Sequence, residues 1–155
     1  MTKQGKPIKR HESLKPLSRQ HHHGLLLSWK IRRGFAKDVD PKRIKRYADW
    51  FYVNHLIPHF HVEEKYLFPV LGDHHEMVKK AVSEHRRLGR LFADKTDIVK
   101  SLSLIEEELE KHIRFEERIL FAEIQLMCTE EHYRKLEKVH EGDEFTDNLD
   151  DVFWE

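Results

Sequence analysis

Cysteine is nearly absent from this sequence of 155 residues, in which Cys128 is the only thiol. A single cysteine cannot form a disulfide within the chain, and it cannot supply the set of thiolates that holds a structural zinc ion. Glycine and proline are also scarce, with six and five residues. Because these two residues interrupt helices most strongly, their scarcity favours long uninterrupted helices.

Long apolar runs and net charge are missing as well. The densest apolar patch, Leu25-Leu26-Leu27, is far shorter than the ~18–20 residues that cross a membrane, and the N-terminal residues lack the apolar segment of a secretory signal. Lys and Arg total 28, and Asp and Glu also total 28, so net charge gives no reason to expect binding to nucleic acid or to a membrane surface. Together with the single cysteine, these features predict a cytoplasmic protein.

The charges that are present are unevenly distributed, and they mark the two ends of the chain. Residues 1–16 are basic and polar, whereas residues 141–155 hold seven acidic residues and no basic one. We interpret the first segment as a basic N-terminal arm and the last as an acidic C-terminal tail, and we expect both to be solvated. A single domain is then expected over residues 17–140, which is a usual domain length.

Apolar spacing and capping residues predict four long helices and a short fifth one. Asp40-Pro41 is a strong start signal, because an N-cap residue is followed by proline at the first helical position. Pro58 lies inside the second helix, where it predicts a kink, and Asp73 to Glu76 has the spacing of a capping box. Four of the expected helices cover about residues 18–37, 41–67, 104–128 and 129–140. The remaining one begins at residues 73–76 and is about twenty residues long.

The pattern of polar residues agrees with a helical fold. The sequence contains no alternating strand pattern, and 36% of its residues are charged, as expected where every helix keeps a wide solvated face. Long helices joined by short connections pack as antiparallel neighbours. The predicted fold class is therefore all-α, an antiparallel up-down four-helix bundle with a short C-terminal helix.

Thirteen histidines are the most unusual feature of the composition. Each long helix places one histidine at mid-length on the apolar stripe that should face the core, and in two helices a glutamate follows four residues later and points the same way. In the fourth long helix the expected stripe is Ile105, Leu109, His112, Glu116 and Ile119. An unpaired buried carboxylate costs several kcal/mol, so these side chains need a cation if they meet at one level of the core. The six candidate metal ligands are His21, His59, Glu63, His85, His112 and Glu116.

The chemistry and the repetition of these residues suggest which metal centre they form. Imidazole and carboxylate in a six-ligand set suit iron or manganese, with zinc as another option, and two irons bridged by both carboxylates would leave a coordination position for a small exogenous ligand such as oxygen. Residues 59–68 match residues 112–121 in residue class at nearly every position. Because each copy follows a helix with a candidate histidine, the chain is interpreted as two helical hairpins arranged around a dinuclear centre.

Four segments carry a resemblance to a known family. They are Leu17 to His23, His59-x3-Glu63-Glu64 with the following Leu67-Phe68-Pro69, Glu84-His85-Arg86, and His112-x3-Glu116-Glu117. Over about residues 14–128 the sequence resembles the hemerythrin-like, or HHE cation-binding, family. The resemblance implies a carboxylate-bridged di-iron centre inside a hemerythrin-like four-helix bundle, binding oxygen or related small molecules.

Two departures from the family pattern bear on function. Oxygen-carrying hemerythrins have a second histidine one turn before the third-helix ligand, where this sequence has Ala81. Their fourth-helix carboxylate is an aspartate five residues after the histidine, whereas here Glu116 follows His112 by four residues. The lost imidazole would leave iron more open to water and exogenous ligands, which argues against reversible oxygen carriage and favours sensing, redox chemistry or iron handling.

Several histidine and glutamate assignments have alternatives. We expect His21 rather than His22 to bind metal, because its helical stripe is more apolar. His55, one turn before the second-helix ligand, could supply the missing nitrogen or lie at the rim of the site. Glu64 and Glu117 point about 100° away from the ligands, so we expect them to be solvated or to contact the ligands from outside. The histidines expected at the surface are His23, His61, His74, His75, His132 and His140.

The sequence is compatible with three functions. The first is a non-haem di-iron protein that binds or senses oxygen, nitric oxide or peroxide. The second is a di-iron redox enzyme that consumes peroxide, against which the histidine-rich ligand set argues modestly, since ferritin-like oxidases use more carboxylates. The third is an iron store or buffer, or an interaction module that uses the charged ends. A protein that binds metal and small molecules is favoured over a dedicated enzyme.

Overall fold

Helices account for all the regular structure in residues 9–155, the part of the chain that the computed structural model describes. This confirms the predicted all-helical class, with no strand in these residues. Two short 3₁₀ turns, Glu12–Leu14 and Phe68–Val70, accompany the longer elements. The α-helices are α1 (Lys15–Ala36), α2 (Pro41–Phe51), α3 (Ile57–Val62), α4 (Glu76–Ala93), α5 (Ile98–Phe115), α6 (Phe121–Met127) and α7 (Glu130–Val139).

Three π-helical turns join some of these helices without a break. Tyr52–Leu56 lies between α2 and α3, Glu63–Leu67 follows α3, and Glu116–Leu120 lies between α5 and α6. The chain is therefore continuously helical over residues 41–67 and 98–127. The first π turn comes immediately before the turn that contains Pro58, so the helix departs from regular α geometry in the region where a kink was predicted.

Most helix boundaries agree with the predicted ones, but three starts were misplaced. Helix α1 begins at Lys15 rather than near residue 18. Helix α4 is capped by the ring of His75, which accepts a hydrogen bond from Met77 N, and not by Asp73. Helix α5 begins at Ile98 rather than near residue 104, because the Asp97 carboxylate accepts a hydrogen bond from a backbone N–H of the first turn.

The start of α7 agrees with the prediction. Thr129 caps the helix, and its side chain and that of His132 form a reciprocal capping box with the backbone. None of the described helices is long and apolar enough to cross a membrane.

The apolar core has two parts with a polar layer between them. In α1, Leu17 belongs to one part and Leu27 to the other, and the buried His21 lies between them. Helices α1 and α5 pack closely enough that a Cβ at Gly24 would lie 2.7 Å from Ile113 Cδ1, so glycine permits this approach. The same order of apolar, polar and apolar residues is found in α4, with Ala81, His85 and Leu88.

The C-terminal acidic segment packs on the helices, so the prediction of a solvated tail is wrong for this part of the chain. Phe153 is only 3% exposed. Asp147 accepts hydrogen bonds of 2.8 Å from Lys30 Nζ and 2.6 Å from the Tyr47 hydroxyl, and Arg43 binds Asp151 through two nitrogens. Two of the acidic residues, Asp147 and Asp151, are thus paired with basic residues of α1 and α2, and Phe153 of the same segment packs on the core.

The described part of the basic arm is also attached. Arg10 donates a 2.7 Å hydrogen bond to the carbonyl oxygen of Glu117 and a 3.0 Å bond to Gln125. Residues 9–14 are therefore held against the helix that carries Glu116. The rest of the predicted arm, residues 1–8, lies outside the described residues.

Candidate metal centre

The structure brings all six predicted ligands together in the polar layer. Their ligand atoms form two groups, and within each group the atoms lie within 4.8 Å of one another. Every member is buried, and both glutamates belong to both groups. One group is His21, His59, Glu63 and Glu116, and the other is Glu63, His85, His112 and Glu116.

The two oxygens of Glu63 face different histidines. Oε2 lies 3.1 Å from Nε2 of His59 and 3.4 Å from Nε2 of His21. These histidines lie on the helical stretch 41–67 and on α1, which we call the first hairpin. Oε1 lies 3.1 Å from Nε2 of His85 on α4, which together with the helical stretch 98–127 we call the second hairpin. A carboxylate placed in this way can bind one ion through each oxygen.

Glu116 repeats this arrangement from the other hairpin. Its Oε1 lies 2.8 Å from Nε2 of His21, and its Oε2 lies 3.2 Å from Nε2 of His112 and 3.7 Å from Nε2 of His85. The two glutamates therefore lie between the two pairs of histidines. This is the arrangement expected of two bridging ligands.

The polar atoms at the centre of this group have the chemistry of metal donors. Several are buried and lack a well-directed hydrogen bond within the described residues, although they lie close together. Leaving buried polar atoms without a partner is costly, most of all for carboxylates. A cation would satisfy them all, and the donor types suit iron, manganese or zinc. The unpaired atoms are Nε2 of His59, His85 and His112, both oxygens of Glu63, and Oε2 of Glu116.

The outer nitrogens of two histidines are held by the glutamates that follow the central ones. Nδ1 of His21 donates to Glu117 over 2.6 Å, and Nδ1 of His85 donates to Glu64 over 2.6 Å. Each of these bonds crosses from one hairpin to the other. Glu64 and Glu117 were expected either to be solvated or to contact the ligands from outside. The structure shows the second of these arrangements.

The remaining two histidines are held within their own hairpins. Nδ1 of His59 lies 2.5 Å from Oε1 of Gln20, and Nδ1 of His112 lies 2.7 Å from Oε1 of Glu84. Sequence reasoning did not identify Gln20 and Glu84 as part of the site. The available signal was that each immediately precedes a candidate histidine. All four rings are thus oriented with Nε2 toward the centre, as is usual for histidines that bind metals.

Both central glutamates are the first residues of π turns, which often mark functional sites. A π turn carries one extra residue, so it changes which later side chains face the core. After Glu116, Leu120 is fully buried and Ile119 is 48% exposed. The expectation that Ile119 lies on the core stripe is therefore wrong, because it assumed an uninterrupted 3.6-residue period.

Burial and neighbouring carboxylates shift the pKa values of the ligands in opposite directions. Burial alone would lower the pKa of His85 and His112, but hydrogen bonds and charge from the surrounding glutamates outweigh it and raise these values to about 11 and about 9. For His59 burial dominates, and the pKa is lowered. Burial would raise the pKa of Glu63, but the nearby imidazoles hold it at about 2. The metal-free centre therefore carries carboxylates and imidazolium groups at neutral pH.

His22 and His55, the two additional candidates, lie outside the group. His22 is exposed, whereas His21 is 3% exposed and in the centre. His55 is half-buried, with its ring 5.0 Å from that of Trp50 and 4.6 Å from that of Phe145. The structure thus places His55 among aromatic rings near the site.

One of the histidines expected at the surface is buried. His140 is 8% exposed, and its Nδ1 donates to Asp143 over 2.7 Å. Asp143 belongs to the C-terminal segment that was expected to be solvated, so this contact was not predicted.

A cavity of about 490 Å³ lies beside one half of the centre. Gln20 and His59 both line it, and so does His55. Its remaining walls come from α1, the helical stretch 41–67 and residues 139–145, among them Arg19, Pro58, Val62, Asp143 and Phe145.

One comparison with known proteins gives a match. Residues 13–95, which are more than half of the chain, match the model of the hemerythrin HHE cation binding domain. The matched segment includes His21, His59, Glu63 and His85 and ends before the second His-x3-Glu motif. No curated protein and no solved structure shows a significant match to the chain.

Proposed function

Because the chain belongs to the hemerythrin HHE cation-binding family, we propose that it is a non-haem di-iron protein that binds or senses oxygen, nitric oxide or peroxide. In this proposal Glu63 and Glu116 bridge the two ions. His21 and His59 complete one ion's ligand set, and His85 with the remaining candidate, His112, completes the other.

The sharing of both glutamates between two groups of ligands carries this proposal. Each carboxylate directs one oxygen at each pair of histidines. A single ion would not need four imidazoles and two carboxylates divided in this way. Two divalent ions would also more than offset the two buried negative charges, and they would satisfy the unpaired atoms.

Residues of the chain fix the ligands and keep water away. Hydrogen bonds to the four Nδ1 atoms hold the rings in one tautomer, so that each Nε2 lone pair is available to a metal. Phe60 stacks on His85 at 3.8 Å between ring centroids, and Phe121 lies 5.2 Å from His21. When bound, iron supplies a redox-active ion with affinity for small ligands.

Ala81 supports a role other than reversible oxygen carriage. It is fully buried one turn before His85, at the place where the oxygen-carrying relatives have a further histidine. The described structure provides no substitute nitrogen there, since His55 lies outside the group. The ion between His85 and His112 would therefore have one protein ligand fewer than in the oxygen carriers, and the same number as the ion between His21 and His59.

Anaerobic titration of the metal-free protein with Fe(II) tests the proposal. We expect two equivalents to bind tightly, and we expect absorbance bands to change on adding azide, nitric oxide or oxygen. Parallel titrations with Mn²⁺ and Zn²⁺ establish the preference for iron. Tight binding of only one equivalent, or spectra that do not respond to any of these ligands, would contradict it.

We propose a peroxide-consuming redox enzyme as the second candidate, because the cavity beside His59 has room for a small substrate. Its volume of about 490 Å³ far exceeds that of one water molecule in the liquid, about 30 Å³, so it accommodates more than a diatomic ligand. Turnover of hydrogen peroxide by the iron-loaded protein, compared with the Glu63→Gln variant, distinguishes an enzyme from a sensor. An iron store would instead take up iron well beyond two ions per chain.

A further inference from the structure

The two halves of the centre follow one pattern, with a single difference. Glu117, which follows Glu116, accepts a hydrogen bond from His21 of the other hairpin, and Glu64, which follows Glu63, accepts one from His85. Gln20, which precedes His21, contacts His59 of its own hairpin, and Glu84, which precedes His85, contacts His112. In α4 the preceding residue is thus the carboxylate Glu84, whereas in α1 it is the amide Gln20.

We infer that the two metal positions are not equivalent, and that the position formed by His85 and His112 binds its ion more tightly than the position formed by His21 and His59. We call the His21/His59 position M1 and the His85/His112 position M2. This inference rests on the proposed dinuclear function and adds an order of filling to it.

The chemistry of the partner residues gives the direction of the difference. A carboxylate that accepts the Nδ1 proton makes the imidazole a stronger electron donor at Nε2, and such partners affect metal affinity by about 10- to 100-fold. Both M2 histidines have this support, from Glu64 and Glu84. At M1 only His21 has it, since the partner of His59 is a neutral amide.

Neighbouring cations do not remove this difference. Lys80 pairs with Glu84, and Arg10 pairs with Glu117 at 3.4 Å, so one cation lies outside each position. Among the groups that contact the ligands directly and the cations paired with them, there is one more negative charge around M2 than around M1. Asp143, on the M1 side, contacts Gln20 and is one contact further from His59. Coulomb attraction therefore favours a metal ion at M2 as well.

Access to the centre also differs between the two positions. The cavity is lined by Gln20 and His59, which belong to M1. A second cavity, of about 670 Å³, is lined by Glu64 and by residues of α4 on the M2 side, but it is lined by none of the candidate ligands. The ion at M1 is thus nearer to the first cavity, and the neutral amide of Gln20 forms part of that cavity's wall. M1 is accordingly the position at which the ion exchanges more readily.

Gln20 has a second contact that the experiment must take into account. Its Nε2 donates to Asp143 Oδ2 over 3.4 Å. A glutamate at position 20 would face this carboxylate, and the repulsion would oppose the intended effect. The variant that adds a carboxylate beside His59 is therefore Gln20→Glu combined with Asp143→Asn, and Asp143→Asn alone is its control.

Stepwise titration of the full metal-free chain with Mn²⁺ tests the inference by calorimetry, with electron paramagnetic resonance reporting free and bound ion. Wild-type protein should bind two ions in two resolved steps. Glu84→Gln should weaken the tighter step about 10-fold or more, and Gln20→Glu/Asp143→Asn should strengthen the weaker step by a similar factor. Glu108→Gln, which removes a surface carboxylate paired with Arg87, should leave both constants unchanged.

Each result has a distinct consequence. Two equal steps in the wild type, or a weakening of the weaker step by Glu84→Gln, would overturn the inference while leaving the dinuclear proposal in place. Binding of a single ion by the wild type would overturn the dinuclear proposal itself. A Glu84→Gln chain with a normal circular dichroism spectrum and an unchanged tighter step would also overturn the inference.

Discussion

Glu117 accepts a 2.6 Å hydrogen bond from Nδ1 of His21, across the interface between the two helical hairpins. Ser18 supports this carboxylate with a 2.8 Å hydrogen bond to the same oxygen. The contact is built from residues far apart in the sequence, and it orients the imidazole so that Nε2 faces the two central glutamates. Glu64 and His85 form the equivalent contact from the other hairpin.

These contacts predict how Glu117→Gln and Glu64→Gln affect metal binding. Each change keeps the shape of the side chain but weakens the support of one imidazole, so metal affinity should fall about 10- to 100-fold with the fold retained. Competition with a chelator of known affinity measures the effect. Glu107→Gln is the matched control, because Glu107 is an exposed glutamate of α5 that pairs with Lys111. Equal affinities in all three variants would show that the outer contacts are unimportant for metal binding.

Glu63→Gln and Glu116→Gln test the bridging role. If both carboxylates bridge the ions, replacing either one removes charge that offsets two cations. The metal-dependent rise in Tm should then be largely lost, because an ion that binds only the folded state stabilises it by mass action. The two changes together should be strongly non-additive. If iron content and the iron-dependent Tm shift stay at wild-type levels, Glu63 and Glu116 are not metal ligands.

Much of this centre was accessible from the sequence, because helical periodicity places His21, His59, His85 and His112 at mid-length on apolar stripes. Their convergence follows once the helices pack side by side. The hairpin repeat added the expectation of two-fold organisation. Helical periodicity could not predict the π turns, because a turn with one extra residue has no recognisable pattern in the sequence. Ile119 was misplaced for that reason.

The outer contacts and the packed C-terminal segment were missed for different reasons. Glutamine and glutamate beside a ligand, as in Gln20 and Glu84, look like ordinary solvated helix residues until a second helix is positioned against them. The C-terminal segment was judged by its charge alone. Its aromatic residues, Phe145, Phe153 and Trp154, were the signal that it packs on the core. Its pairing with Lys30 depends on tertiary structure, which composition does not show.

The raised pKa values of His85 and His112 predict opposite pH effects on folding and on metal binding. A histidine whose pKa is higher in the folded protein than the unfolded value of about 6.5 stabilises the fold fully when the pH is below about 6.5. This contribution is lost as the pH rises through about 9 for His112 and about 11 for His85. The metal-free protein should therefore become less stable between pH 7 and 10. Urea unfolding across this range measures the effect, and stability that stays constant or rises would contradict it.

The same protonation predicts proton release on metal binding. Both imidazoles are protonated at pH 7 in the metal-free protein, so an incoming ion must displace their protons, and its apparent affinity should rise with pH. Titration with Mn²⁺ at pH 7 in two buffers with different ionisation enthalpies gives the number of protons released. A heat of binding that does not depend on the buffer would contradict the prediction.

Phe153→Ala tests whether the acidic C-terminal segment contributes to the stability of the domain. Phe153 is 3% exposed and packs near Gly34 and Tyr47, so its removal should leave a cavity and cost about 3–5 kcal/mol. Leu149→Ala is the matched control, because Leu149 belongs to the same segment but is 66% exposed. That change should stay within about 0.5 kcal/mol. Urea denaturation of both variants measures the difference, and a Phe153→Ala protein as stable as Leu149→Ala would show that the segment is not part of the cooperative core.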